Sequence, residues 1–267
     1  MVTADKNIET FWDHLDELRG VLIRIIVAVF LAAFTVFFFK DQLFSVVLAP
    51  KYENFITYQL INKLAVLIDI AGIDPFSIQL INTVLAEQFI IHMQMALYVG
   101  ILLVSPYILY QLFHFVTPAL YLTERRYAFQ FVGSGYIMFL LGILFNYFLI
   151  FPLTFRFLGS YQVAGDINNL ITLQSYIDTM MMMCIMMGIV FEVPILCWLF
   201  GKIGILKSAF MSRYRKHAVF IILLVAAIIT PTSDIFTLLL VAFPIWLLYE
   251  ISIRIVKRTE IIGSQLL

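Results

Sequence analysis

Apolar positions in this chain fall into long unbroken runs, not into half-polar stripes. Runs approaching 20 residues recur, each close to the length needed for a helix across a ~30 Å hydrocarbon layer. They predict six membrane helices at about Val21–Phe39, Gln88–Phe113, Tyr127–Phe151, Tyr176–Phe200, Lys216–Thr230 and Ile235–Ile253. Pro106, Pro194 and Pro244 fall inside the second, fourth and sixth. The two-residue alternation of a transmembrane β-barrel is absent. The chain therefore reads as an all-α membrane protein, with residues 1–267 forming a single domain without internal repeats or low-complexity linkers.

The last two spans are unusual: the fifth looks short, and the sixth is about long enough but interrupted. From His217 to Thr230 about 14 residues are uninterrupted, or ~20 Å of helix, and Pro244 interrupts the sixth. The stretch Lys40–Glu87 between the first two spans is half-apolar. Its spacings of three and four predict short amphipathic helices on the membrane or over the bundle. The connection about Pro152–Ser175 reads as a loop, and the last one is only Pro231–Asp234.

Composition agrees with this class: 63% of the 267 residues are apolar and 13% charged. The formal net charge of zero points to neither nucleic acid nor an acidic partner. Charge distribution says more. With six spans, thirteen of the 17 Lys and Arg residues fall on the side of both termini and four (Lys40, Lys51, Lys63 and Arg156) on the other. The positive-inside rule then places both termini in the cytoplasm. The acidic N-terminus, followed by a long apolar run, does not resemble a cleavable signal. Cys184 and Cys197, thirteen residues apart on one helix, cannot bridge each other, and the four histidines are scattered. No metal site, cofactor site, nucleotide loop or catalytic constellation is predicted.

Three places carry unusual polarity. Glu192, in Gly188-Ile-Val-Phe-Glu-Val-Pro194, lies inside an apolar run. Charge at that depth costs ~2.5–3.5 kcal/mol on insertion scales and is a functional candidate by default. Before the first span, Phe11, Leu15, Leu18 and Leu22 form an apolar stripe, with Asp13, Asp16 and Glu17 away from it. Between the second and third spans, Thr123 reads as an N-cap and Glu124 as a first-turn acid, followed by Arg125 and Arg126. The two acidic elements share one membrane face. Together they suit a guanidinium pair, which binds carboxylates through paired charge-assisted hydrogen bonds. Phe115 and Leu120 would supply an apolar surface beside it. Asp234 either caps the sixth helix or belongs to an external site. The methionines from Met180 to Met187 read as packing, and Gly133, Gly135 and Gly142 as close helix contacts.

In this order, the motifs are recognisable. His14-Leu-Asp-Glu-Leu-Arg19, Ser105-Pro through Glu124-Arg-Arg126, Phe191-Glu-Val-Pro194, Thr230-Pro231 with Asp234, and Ala242 through Glu250 together resemble the TatC family, the multi-spanning subunit of the twin-arginine protein translocase. The resemblance covers nearly the whole chain. It implies a concave, glove-like bundle with short fifth and sixth helices and an external cap, in a bacterial-type cytoplasmic membrane. It implies recognition of twin-arginine signal peptides and movement of folded proteins driven by the proton-motive force. The implied partners are single-span subunits of the TatA and TatB type, in an oligomeric complex within the bilayer.

Residue by residue, the resemblance makes Glu17 and Glu124 the arginine-binding carboxylates, with Phe115 and Leu120 lining that surface. Arg19, Arg125 and Arg126 match family motif positions. Pro50 matches an external-cap proline, Glu192 the intramembrane glutamate of the concave face, and Thr230 a partner-helix docking position. Leu122 and Leu238 depart from a lysine and a glutamine found in some members. The alternative from physics alone is a proton-coupled transporter of small solutes with Glu192 as coupling carboxylate, a class that usually shows an internal repeat.

Overall fold

In a layer without water, a spanning segment must satisfy its own backbone hydrogen bonds, so long apolar runs become helices. A computed structural model of the chain describes residues 11–67, 78–116, 128–162, 169–230 and 234–265. The helices among them are α1 Phe11–Phe37, α2 Lys40–Val47, α3 Ile56–Leu67, α4 Glu87–Val116, α5 Ala128–Phe145, α6 Phe151–Ser160, α7 Leu173–Phe191, α8 Val193–Lys202, α9 Ser208–Arg213, α10 Arg215–Ile229 and α11 Ile235–Gln265. A π-helical turn, Asn146–Ile150, joins α5 to α6. Two two-residue strands, β1 Leu80–Ile81 and β2 Ile171–Thr172, pair in parallel with Leu80 opposite Ile171.

Five stretches among the described residues are long and apolar enough to cross a membrane: Leu15–Phe37, Glu87–Leu112, Val132–Ser160, Leu173–Lys202 and Ile235–Ile261. The chain is a multi-pass membrane protein. The expected fifth span is α10, with 15 residues or ~22 Å of helix.

Three expectations need correction. The third span does not end at Phe151 but continues to Ser160. Pro152 sits in the first turn of α6, and the carbonyl of Phe148, four residues earlier, accepts from Thr57 Oγ1 instead. The fourth span is not one helix, because it breaks at Glu192 between α7 and α8. The sixth helix is not short: α11 has 31 residues and runs through Pro244. Beyond the apolar run it becomes amphipathic, with Ile253 and Val256 buried while Arg254, Lys257 and Arg258 are exposed.

The chain divides into two compact units, Met1–Lys40 with His92–Tyr136, and Asp41–Ile91 with Ile137–Leu267. In the first unit, α1 and α4 cross closely at Ala33 and Gly100. A Cβ on Gly100 would lie 2.8 Å from the Ala33 nitrogen. Further along α1, Phe37 stacks on His92 at 4.2 Å between ring centroids. Moving forward from Ala33 to Phe37 thus means moving back from Gly100 to His92, so α1 and α4 are antiparallel. The inward face of α1 carries Val21 and Val36, whereas Leu15 and Leu22 of the expected apolar stripe are exposed. That stripe faces outward because, in lipid, apolar side chains need not be buried in protein.

In the second unit, α5 and α7 cross at Gly142 and Gly188. The helices α8, α9 and α10 all pack on α11. The short helices α2 and α3 lie against the π turn and α6 through side-chain-to-backbone hydrogen bonds. Tyr58 Oη donates to Pro50 O at 3.2 Å and Pro152 O at 2.9 Å. Tyr176 Oη donates to Val47 O at 2.9 Å, Tyr147 Oη to Val46 O at 2.7 Å, and Thr57 Oγ1 to Phe148 O. The short helices expected between the first two spans are therefore present and anchored.

Candidate functional site

At the N-terminal end of α1, the first residues with described side chains are polar and apolar in mixture. Asp16 and Arg19 are exposed. Glu17 is half-buried and lies four residues before the buried Val21, so it shares the inward face. As expected, Glu17 lies away from the stripe of Leu15 and Leu22, but it is those leucines that are exposed and Glu17 that is half-buried.

The antiparallel pairing fixes what stands at the same level. Glu17 lies sixteen residues before Ala33, and Phe115 lies fifteen after Gly100. At ~1.5 Å per residue these are ~24 and ~22 Å of helix from one crossing. Glu17 and the half-buried Phe115 therefore occupy the same end of the first unit. The arrangement offers a carboxylate with an aromatic ring at its level, a suitable start for binding a planar cation. Leu120, Glu124, Arg125 and Arg126 fall in residues 117–127, outside the described residues.

In the second unit, Glu192 forms the junction of α7 and α8. Its N–H donates to Ile189 O at 3.1 Å, and its carbonyl accepts from Ile195 N at 3.0 Å. Helical hydrogen bonding thus tightens at the junction, with Pro194 in the first turn of α8. Glu192 is ten residues, or ~15 Å, from Lys202 at the end of its span. The side chain is half-buried, and its Oε1 is buried without a hydrogen-bond partner among the described residues. A carboxyl oxygen kept from water and left unpaired costs roughly 1–3 kcal/mol or more. Such an arrangement favours any polar group brought to it.

Pro50 is buried, and its carbonyl is one of the two acceptors of Tyr58. Burial pushes the Tyr58 phenol well above its ordinary range, opposed by the Arg156 cation. Asp234 caps α11: its Oδ1 accepts from Thr237 N at 2.7 Å. Of its two readings, the cap is the one with a geometry. Thr230 is buried and donates to Ala226 O at 3.0 Å. It ends α10, and its hydroxyl is used locally. Elsewhere on α10 and α11, Val219, Ile222, Leu223, Leu239, Ala242 and Trp246 line an apolar groove of about 260 Å³. No polar signal in the sequence marks that groove. Its lining comes from residues on two helices, each ordinary for a lipid-facing position. Among the described residues, no cluster of His, Cys, Asp and Glu has the composition of a metal site.

Comparison with known proteins follows the same residues. A family model described as Sec-independent protein translocase protein (TatC) matches residues 13–244. The Sec-independent protein translocase protein TatC of Blattabacterium sp. subsp. Periplaneta americana is 33% identical over 256 residues, which is 94% of this chain and 96% of that protein. The protein of the same description from Aquifex aeolicus is 31% identical over 248 residues, 92% of this chain and 93% of its own. A crystal structure of a twin-arginine translocase receptor, TatC, matches with a TM-score of 0.74 at 30% identity. The match covers 92% of this chain and 99% of that one.

Proposed function

This chain belongs to the TatC family of Sec-independent protein translocase proteins, and we propose that it is the signal-peptide receptor and membrane core of a twin-arginine translocase. Glu17 and Glu124 bind the two arginines of the signal, with Phe115 and Leu120 as the apolar surface beside them and Arg19, Arg125 and Arg126 shaping the local charge. The observation that carries this reading is the antiparallel pairing of α1 and α4, which puts Glu17 and Phe115 at one end of a helix pair. The motif with Glu124 follows α4 directly in the chain.

The wider proposal has α10 as a sixth, short span, with both termini in the cytoplasm of a bacterial-type inner membrane. The thirteen-to-four division of Lys and Arg supports that orientation. Residues 1–267 act as one integral membrane domain, and the family match runs through both compact units. Glu192 lies on the route of the bound signal. Single-span TatA-type and TatB-type subunits dock at Thr230 and along the apolar groove of α10 and α11. Pro50 and Asp234 belong to the outer end, where they hold the cap and the start of α11. The chain is a transport component and not an enzyme. The proton-motive force supplies the energy for moving folded proteins.

The test is transport of a folded reporter carrying a twin-arginine signal into membrane vesicles that contain this chain and its single-span partners. Transport should require both arginines and an energised membrane. Equal transport of a twin-lysine signal, or transport without an energised membrane, would contradict the proposal.

A further inference from the structure

We propose that the end of the second unit formed by α9, the start of α10 and the end of α11 is a binding surface for anionic phospholipid headgroups. Its charge is one-sided. Five Lys and Arg residues lie between Lys202 and Lys216 and three between Arg254 and Arg258, against two carboxylates, Glu250 and Glu260, in the same two segments and their flanks. Both carboxylates are already engaged. Glu250 pairs with Arg215 at 2.9 Å. Glu260 accepts from both the backbone N–H, at 2.9 Å, and the hydroxyl of Ser208. Neither is available to neutralise the remaining cations.

The same contacts hold the surface rigid. Met211 of α9 is buried against Ile253 and Val256 of α11, and Tyr249 Oη donates to Met211 O at 2.9 Å. Arg254, Lys257 and Arg258 fall at spacings of three and four; Arg254 and Arg258 turn away from this seam, Lys257 flanks it, and all three are exposed. Interleaved with the cations are exposed apolar groups: Ile205, Phe210 and Tyr214 are 72%, 57% and 42% exposed. The Phe210 and Tyr214 rings are 4.7 Å apart. Aromatic side chains beside Lys and Arg, at the ends of membrane helices, match the headgroup level of a bilayer. An acidic soluble protein would match the charge but leave these apolar groups in water. The short α10 begins at this collar with Arg215 and Lys216, so headgroups drawn to it also set the local bilayer depth around a span of only 15 residues.

The experiment is native mass spectrometry of the purified full chain after equilibration with equal amounts of phosphatidylglycerol and phosphatidylcholine. The wild-type chain should retain phosphatidylglycerol preferentially. Arg213→Gln/Lys216→Gln/Lys257→Gln/Arg258→Gln should lower the retained ratio by about tenfold or more, since each cation near an anionic surface contributes measurably. Lys40→Gln/Lys51→Gln/Lys63→Gln should leave the ratio unchanged. Lys257→Gln/Arg258→Gln, confined to exposed positions, provides a milder variant with a partial fall should the fourfold change impair folding. An unchanged ratio in both variants, or an equal fall in the Lys40/Lys51/Lys63 variant, overturns the proposal. So does selective loss of a co-purifying acidic protein with the lipid ratio intact.

Discussion

Gly142 and Gly188 meet so closely that a Cβ on Gly142 would lie 2.9 Å from the Gly188 Cα and 2.6 Å from the Met187 carbonyl oxygen. Both obstacles are backbone, which cannot swing aside as a side chain can. This crossing sits one helical turn before Glu192 and sets how α7 reaches its break. Gly142→Ala should destabilise the chain by about 1–3 kcal/mol, the usual cost of overpacking a tight contact. The three atoms nearest a Cβ on Gly188 all belong to the Phe139 side chain, so Gly188→Ala should cost less. Gly133, expected from the sequence to be a packing position, faces open space among the described residues. Gly133→Ala should be neutral or slightly stabilising through helix propensity. Thermal unfolding of the purified protein in detergent separates the three.

The anchoring of α3 gives a prediction in pH. Tyr58 Oη serves two carbonyl acceptors from a buried position. Tyr58→Phe should cost roughly 1–3 kcal/mol, because buried acceptors lose their donor. The Tyr58 phenol is raised in the folded state, chiefly by burial. Its stabilising contribution is thus complete below the ordinary phenol value, about 10, and is lost as pH rises from there toward the raised folded value. Alkaline titration of unfolding should show wild-type stability falling faster above about pH 10 than that of Tyr58→Phe. Parallel curves would remove Tyr58 as the titrating group.

Glu260 and Glu250 make unequal bonds to the α9 region. Arg215 in the Glu250 pair is half exposed to water, so Arg215→Gln should change stability by no more than about 1 kcal/mol. Glu260→Ala strips two acceptors from Ser208, including one for the backbone N–H that begins α9. Its loss should loosen residues 203–214 and raise their cleavage rate in limited proteolysis about tenfold, as expected for ~1.4 kcal/mol of local opening. Equal protection in wild type and Glu260→Ala would show that Met211 packing alone holds α9.

Much of this was legible in the sequence for a simple physical reason. In lipid, length and apolarity are sufficient to specify a span, and a lone charge such as Glu192 stands out against them. The shortness of α10 is visible in the same way. Contacts between distant residues were not visible. Tyr58 and Tyr176 donate to backbone carbonyls, and no residue type announces a carbonyl acceptor. Ser208 and Glu260 are 52 residues apart, and neither belongs to a periodic pattern. The extension of α11 was missed because Arg254, Lys257 and Arg258 look like the end of a membrane helix when they are its solvated face. Of the two carboxylates proposed to bind arginine, the sequence motif marks both, but only the fold shows Glu17 on the inward side of α1.

Glu192→Gln separates folding from transport. The buried Oε1 has no partner among the described residues, so the substitution removes charge without breaking a visible bond. Stability should change by less than about 1 kcal/mol, with twin-arginine peptide binding largely retained. Transport of a folded reporter should fall severalfold. Normal transport by Glu192→Gln would mean that its charge has no essential part in the process.

Arginine recognition is tested most directly by titrating the purified chain with a twin-arginine signal peptide and its twin-lysine counterpart. Two charge-assisted pairs in fork geometry should favour arginine by about tenfold or more in Kd. In Glu17→Ala/Glu124→Ala the twin-arginine peptide should weaken until the two peptides bind alike. Equal binding of both peptides to the wild-type chain, unaffected by the double substitution, would contradict the assignment of Glu17 and Glu124.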